Sequence, residues 1–435
     1  MIGTPLGTPA GAVKVIAGHS MKLLRRPLLL LTLLLLAGCG GGGGGSAAPP
    51  AKSWTILVYM DGDNNLSAGA AANFAQIRAA AASPHVRVVV QLATLGETTR
   101  RYLVENGQTS QLADLGRVDM AAEETITGFL SWAKDAYPAD RTVLILWDHG
   151  DGWDQSLQGD SAAKPAAAKT VHAMFTHPGS NTVVLPNHRI RQAIAAAGIK
   201  LDVLGFDGCN MSTIEALYEF RALAGVLIAS EELISDAGWT YQQLLSGLAA
   251  APGMTAEEFG RLAVTTYRNY YDLLPAPQRF ATLAALRSSG LAAVVAETDR
   301  IAGLLLDRLA DPLTREATVS LIQKARAEAQ IIDPFSSGFV YVDMLDLVQR
   351  FGLATTLPGL QAAATIAEYH GSARPDAHGI SIVFFDLPDA ITYNVYNPNY
   401  TDYDPLTLTG NNGAFINSYR WDELLHGYYA AAGLL

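Results

Sequence analysis

Charge and cysteine are both scarce in this chain. Charged residues fill 16% of 435 positions and apolar ones 49%, which excludes a disordered chain and suits a globular protein with a sizeable core. Basic residues are the scarcer sign: 30 Lys and Arg face 41 Asp and Glu, for a net charge of −11 and an isoelectric point near 5.3. A basic surface that grips nucleic acid is thereby excluded, and no nucleic-acid partner is expected. The chain has no HExxH pairing of zinc ligands, no EF-hand spacing and no evident internal repeat. Its length allows one large α/β domain with additions, or two domains.

What is present begins with a leader. Met21-Lys22-Leu23-Leu24-Arg25-Arg26 is short and basic, and the apolar run 27–36 is too short to span a bilayer but has the length of a signal-peptide core. Leu36-Ala37-Gly38-Cys39 follows and resembles a bacterial lipobox, whose cysteine is diacylated and becomes the new N-terminus. Small residues at Ala37 and Gly38 open the backbone to the processing peptidase, and two or more acyl chains give a stable anchor. The expectation is an exported lipoprotein of a bacterial cell envelope: signal peptide 21–38, lipidation at Cys39, attachment to the membrane through that lipid. An ordinary secretory signal with an incidental cysteine is the alternative. Residues 1–20 are unlike a leader, so Met21 reads as a second start, with 1–20 an untranslated extension. Cleavage removes Lys14, Lys22, Arg25 and Arg26, leaving 26 basic against 41 acidic residues, so the anchor and not charge must hold the body at a membrane. Residues 39–52, with Gly40 to Gly45 and then Pro49-Pro50, form a tether.

With Cys39 acylated, Cys209 is the one thiol left, and no intramolecular disulfide forms although the compartment permits one. A lone thiol in that setting is a candidate nucleophile or a small buried apolar residue.

Apolar runs at 54–60, 86–92, 142–147, 202–206 and 225–229 carry apolar residues at both parities, the habit of strands buried on both faces of a parallel sheet. Helical patterns at 68–82, 123–136 and 189–197 lie between them. The fold class is therefore α/β: an α/β/α sandwich over 53–250 with a mostly parallel sheet. Residues 251–435 follow as a helical and mixed C-terminal region packed on that core. Its strongest helical segment is 283–309, strand-like runs fall at 339–342 and 379–385, and a last helix starts at Arg420.

Two segments carry chemistry. Val143-Leu144-Ile145-Leu146-Trp147-Asp148-His149-Gly150 and Val203-Leu204-Gly205-Phe206-Asp207-Gly208-Cys209 are apolar strands whose C-terminal ends deliver a reactive side chain. Sites in open α/β sheets form at those ends. Neighbouring strands would bring His149 beside Cys209, the imidazole managing protons and the thiolate attacking. The Gly150 and Cys209 amides are expected to bind an oxyanion. Ser212-Thr213-Ile214-Glu215 fits a capping box, which places a helix start just after the cysteine. His149 alone also reads as a structural residue, and Asp148, Asp151, Asp154 and Asp160 around it leave a metal site open.

The phrases WTILVYMDGDNNL, LILWDHGDGW, DVLGFDGCNMSTIEALYE and ASEELISDAGWTY resemble the clostripain family of cysteine peptidases, in the clan of caspases, gingipains and legumains. The resemblance implies a caspase-like fold, His149 and Cys209 as the catalytic pair, and peptide or protein substrates. Asp207 matches an acidic position that relatives use for a basic P1 side chain, the residue whose carbonyl is attacked. Glu231, Glu232 and Asp236 lie where they can complete such a pocket. The chemistry requires no cofactor. Some relatives need calcium, for which no ligands are assigned here, and some are activated by cleavage in the stretch that corresponds to 154–187, which holds Lys164 and Lys169. Two readings compete: a surface lipoprotein that keeps the fold to bind peptides or glycans, and a metal-dependent hydrolase.

Overall fold

In a computed structural model of the chain, the described residues are 52–153, 174–176, 178–179, 183–276, 279–332, 341–385, 413–416 and 418–434. The leader, Cys39, the tether as far as residue 51, Lys164, Lys169 and the aromatic stretch 393–404 lie outside them.

The first half runs β1 (Lys52–Gly62), α1 (Ser67–Arg78), β2 (Val86–Thr94), β3 (Arg100–Glu105), β4 (Gln108–Asp114), α2 (Glu123–Ala136) and β5 (Ala139–Trp147). A small hairpin, β6 (Met174–Thr176) and β7 (Val183–Leu185), precedes α3 (Asn187–Ala197), β8 (Leu201–Asp207), α4 (Ile214–Phe220) and β9 (Ala224–Ala229). Then come α5 (Tyr241–Ala250), α6 (Ala256–Tyr271), β10 (Thr282–Arg287), α7 (Ser288–Ala310) and α8 (Arg315–Glu328). The chain ends with β11 (Ile331–Ile332), β12 (Tyr341–Asp343), α9 (Met344–Arg350), α10 (Leu357–Ala364), β13 (Thr365–His370), β14 (Ser381–Val383), α11 (Gly413–Ile416) and α12 (Trp421–Ala431).

Nine strands form one sheet in the order β13-β10-β9-β8-β5-β1-β2-β3-β4. The five central strands, β9 to β2, pair in parallel, and antiparallel strands extend both edges. Alternation along each strand divides the core into two layers. Trp54, Ile56, Val58 and Met60 of β1 face α1, α5 and α6, while Leu57 and Tyr59 face the layer of α2, α3, α4 and α7. β5 sends Val143, Ile145 and Trp147 to the first layer and Leu144 and Leu146 to the second. All five expected parallel strands form, because runs apolar on both faces bury both faces only in such a sandwich.

Three elements differ from expectation. Residues 283–287, the start of the strongest helical pattern, belong to strand β10, and the helix starts at Ser288. Leu283 and Ala285 face one layer and Ala284 and Leu286 the other, so two-sided burial between β9 and β13 outweighs local helix propensity. The hairpin β3–β4 was not expected. Its signal was Asn106-Gly107, both with positive φ (51° and 73°), as a tight two-residue turn demands. Finally, Thr213 and not Ser212 caps α4, accepting from Ala216 N at 3.2 Å. Ser212 donates to Gly379 O at 2.6 Å and Glu215 accepts from Val383 N at 3.0 Å, so long-range backbone partners claim both side chains of the apparent capping box.

Gly205, in the middle of β8, faces Trp239 so closely that a β-carbon there would lie 2.5 Å from the indole ring. The ring is buried, so withdrawing it disturbs the packing around it. Gly205→Ala is expected to destabilise the fold by about 1–3 kcal/mol, read as a lowered urea midpoint with an unchanged m-value.

Candidate active site

The parallel ladder of β5 and β8 sets Trp147 opposite Asp207. Two residues beyond each of these, His149 and Cys209 leave the sheet at one edge. Gly150 lets the two loops touch: a β-carbon there would lie 2.5 Å from the Cys209 carbonyl oxygen and 2.9 Å from its amide nitrogen. Only the residue without a side chain permits that approach. His149 and Cys209 line one cavity of about 230 Å³, together with Asn65, Leu66, Asp207, Ser235 and Asp236.

Cys209 is half-buried, and the Ile234 amide donates to its Sγ at 3.3 Å. Asn210 adopts a left-handed backbone (φ 59°), which asparagine tolerates better than most residues. Its amide donates to Glu232 O at 3.2 Å and its side chain to Glu231 O at 2.8 Å. The cysteine loop is thus stitched to the segment that leaves β9. Four residues separate Cys209 from the first residue of α4, so the helix start is not adjacent to the sulfur.

His149 Nε2 donates to Asn65 Oδ1 at 2.6 Å, which leaves Nδ1 as the acceptor of the neutral ring. Burial holds the imidazole below its ordinary pKa, with Asp151 and Asp236 partly offsetting it. Asp148 braces the loop from behind: its carboxylate accepts from His149 N at 2.6 Å, Asn64 Nδ2 at 2.7 Å and Thr176 N at 2.8 Å. Asp61 lies beside it. Burial first, and their mutual repulsion second, push Asp148 well above the carboxylate range; burial chiefly does the same to Asp61.

The expected pocket acids divide. Asp207 lines the cavity from its buried side, where Oδ2 accepts from Tyr241 Oη at 2.8 Å and Trp239 N at 3.1 Å. Burial pushes its carboxyl up to about 7 in spite of those two donors. Asp236 is exposed on the rim. Glu232 does not line the cavity. It is fully buried and ion-paired with Arg374 Nε, and Leu233 N donates to its Oε2 at 3.2 Å. Glu231 accepts from Gly379 N at 2.8 Å. These two glutamates meet a cation and an amide of the later chain, which no local pattern around residue 231 reveals.

Sequence reasoning missed Asn64 and Asn65. The signal was available: β1 is the third strand tip at the same edge, and its polar run Asp61-Gly62-Asp63-Asn64-Asn65 repeats the arrangement of an apolar strand ending in functional side chains. Among the described residues no three His, Cys, Asp or Glu side chains converge so as to hold a metal ion.

The sequence profile of the clostripain family matches residues 58–364. The chain belongs to the clostripain family. It is similar to clostripain from Hathewaya histolytica, with 23% identity over 249 residues that cover 47% of this chain and 44% of that relative. The match thus spans less than half the length of that protein. Two solved structures share the fold. One is a secreted C11 cysteine protease from Bacteroides thetaiotaomicron in complex with an irreversible peptide inhibitor (TM-score 0.58, 19% identity, 88% of this chain and 99% of that one). The other is an inactive zymogen C11 protease from Parabacteroides distasonis (TM-score 0.59, 20% identity, 81% and 97%). The expected caspase-like α/β/α fold is therefore the fold of this family member.

The buried acids give stability a defined pH slope. A carboxyl raised above its unfolded value keeps its proton in the native state after the unfolded chain has released one. Its contribution is full below about pH 4 and lost as pH rises through the folded value. Replacing Asp61 with Asn should flatten this part of the profile: relative to the parent protein, the variant gains stability between pH 5 and pH 8. Urea midpoints at the two pH values measure it, with a limit of about 1.4 kcal/mol per pH unit for each proton. A difference that does not change with pH would show the pair fully ionised.

Proposed function

We propose that the protein is a cysteine endopeptidase that cuts after Arg or Lys, with Cys209 as nucleophile and His149 as acid and base. The observation that carries this reading is the single cavity lined by the sulfur and the imidazole, with the Gly150 backbone packed against Cys209. A neutral His149 takes the thiol proton, and the Ile234 amide favours the negative sulfur. The thiolate adds to the scissile carbonyl, whose oxygen becomes negative and is met by the Gly150 and Cys209 amides. His149 then gives its proton to the departing amine, and a thioester remains on Cys209. Water, deprotonated by His149, splits the thioester and releases the acid product. Asn65 holds the ring in the tautomer that this cycle needs. The family membership and the peptide inhibitor bound to the secreted Bacteroides relative support a peptide as the substrate.

Asp207 and Asp236 supply the preference for a basic side chain. Asp207 has Oδ2 committed to Tyr241 and Trp239, so Oδ1 is the oxygen available to a guanidinium or ammonium group. Glu232, held by Arg374, shapes the loop and does not meet substrate.

We also propose that the protein is exported and anchored through acylated Cys39. No helix among the described residues is long and apolar enough to cross a membrane, and the lipobox-like tetrad offers an attachment that does not need one. Replacing Cys39 with Ser should move the protein from the membrane fraction to the soluble fraction. An unchanged distribution would reject the lipid anchor.

Fluorogenic peptides test the chemistry. Cys209→Ala should abolish cleavage and labelling by a thiol alkylator, and His149→Ala should lower kcat by at least about a hundredfold. A chelator in a separate arm should leave the alkylation-sensitive rate intact, whereas a metal-dependent hydrolase would lose activity to the chelator and survive alkylation. Asp207→Asn should lower kcat/KM for Arg and Lys peptides more than for neutral ones. In the parent protein that selectivity should rise as pH passes about 7, where Asp207 ionises.

A further inference from the structure

Beside the cavity of Cys209 lies a second one, of about 170 Å³, lined by Leu233, Ser235, Tyr271, Leu274, Phe280 and Ala281. The two share Leu233 and Ser235, so the same short loop walls both. Its lining is apolar except for two hydroxyls, and these are spent on each other: Ser235 Oγ and Tyr271 Oη lie 2.9 Å apart, and Tyr271 Oη donates to Gly238 O at 3.1 Å. Among the described residues no charged side chain lines it, so an apolar group suits it better than a charged one. Leu233, Leu274 and Phe280 stay partly exposed around it, so apolar surface remains for an incoming group to cover.

The cavity is built rather than incidental. Arg279 Nε donates to Leu274 O at 2.6 Å and ties the turn after α6 to the approach of β10. That approach is pinned from behind, since Ala373 N donates to Arg279 O and Gly371 N to Ala281 O, both at 2.9 Å. A wall fixed before the ligand arrives loses little order on binding. An extended peptide advances about 3.3 Å per residue, and the two cavities share Leu233 and Ser235 as a wall, so a side chain flanking the scissile bond is the natural group to enter the second one.

We propose that this cavity is a second substrate pocket, which takes one apolar side chain of leucine, methionine or phenylalanine size flanking the basic residue, and that Leu274 and Phe280 set that preference. The inference rests on the peptidase reading above and deepens it: the substrate class is a peptide with an apolar residue close to its Arg or Lys.

Internally quenched peptides with Arg fixed at P1 and each position from P4 to P2′ varied test the proposal on the purified protein. One flanking position should favour Leu, Met or Phe over Gly and Asp by about tenfold or more in kcat/KM. Leu274→Asp, and separately Phe280→Ser, should collapse that ratio at that position and leave the ratios at the other positions as they were. Because ratios within one variant are compared, partial loss of folded protein does not mimic the effect. A flat profile at every flanking position, or an apolar preference that survives both substitutions, would overturn the pocket while leaving the peptidase reading in place. Failure of the parent protein to cleave any peptide would instead remove the peptidase reading, and the pocket's role with it.

Discussion

Trp147 faces Asp207 across the parallel ladder of β5 and β8, and from that pair the chain needs only two residues on either side to reach His149 and Cys209. The register of this ladder is set by burial. A slip of one residue would turn Val143, Ile145 and Trp147 out of their layer and exchange them with Leu144 and Leu146. The contact of Gly150 with the Cys209 backbone then turns matched strand ends into a shared cavity. Placement of imidazole and sulfur is therefore a consequence of core packing, and neither loop has to fold independently to find the other.

The surroundings of that cavity are costly in electrostatic terms. Asp61, Asp148 and Asp207 are all buried within a few residues of the strand tips, and each is pushed above the normal carboxylate range. Hydrogen bonds from Asn64, Thr176, Tyr241 and backbone amides offset part of the desolvation. In return the acids hold the strand-tip loops by several directed bonds. Behind the opposite wall, Glu232 with Arg374 and Glu231 with the Gly379 amide tie the segment after β9 to the last third of the chain. That is why residues beyond Ala250 matter to a site whose reactive groups all precede it. Two strands of the main sheet, β10 and β13, come from that same later region.

Local pattern carried much of this. Five apolar runs announced the parallel strands, and the strand-tip positions of His149 and Cys209 were legible in the order of residues alone. Three differences share one cause, a partner far along the chain. Residues 283–287 read as helix from their neighbours, and form a strand because β9 offers an unfilled edge. Ser212 and Glu215 read as a capping box, and bond instead to Gly379 and Val383, more than 160 residues away. Glu232 and Asp236 share the loop that leaves β9 and both suit a pocket acid by position, but a side chain pointing behind the loop meets Arg374 and one pointing forward meets the cavity.

The amino-acid sequence by itself determined which segments become buried strands and which two reactive side chains stand at their ends, because both follow from short-range alternation and from the few residue types able to do the chemistry. Tertiary structure alone decided which carboxylates face the cavity and which are consumed in holding it. That outcome depends on the direction of a side chain and on a partner far along the chain, and hydrogen-bond partners at such range leave no periodic trace in the order of residues.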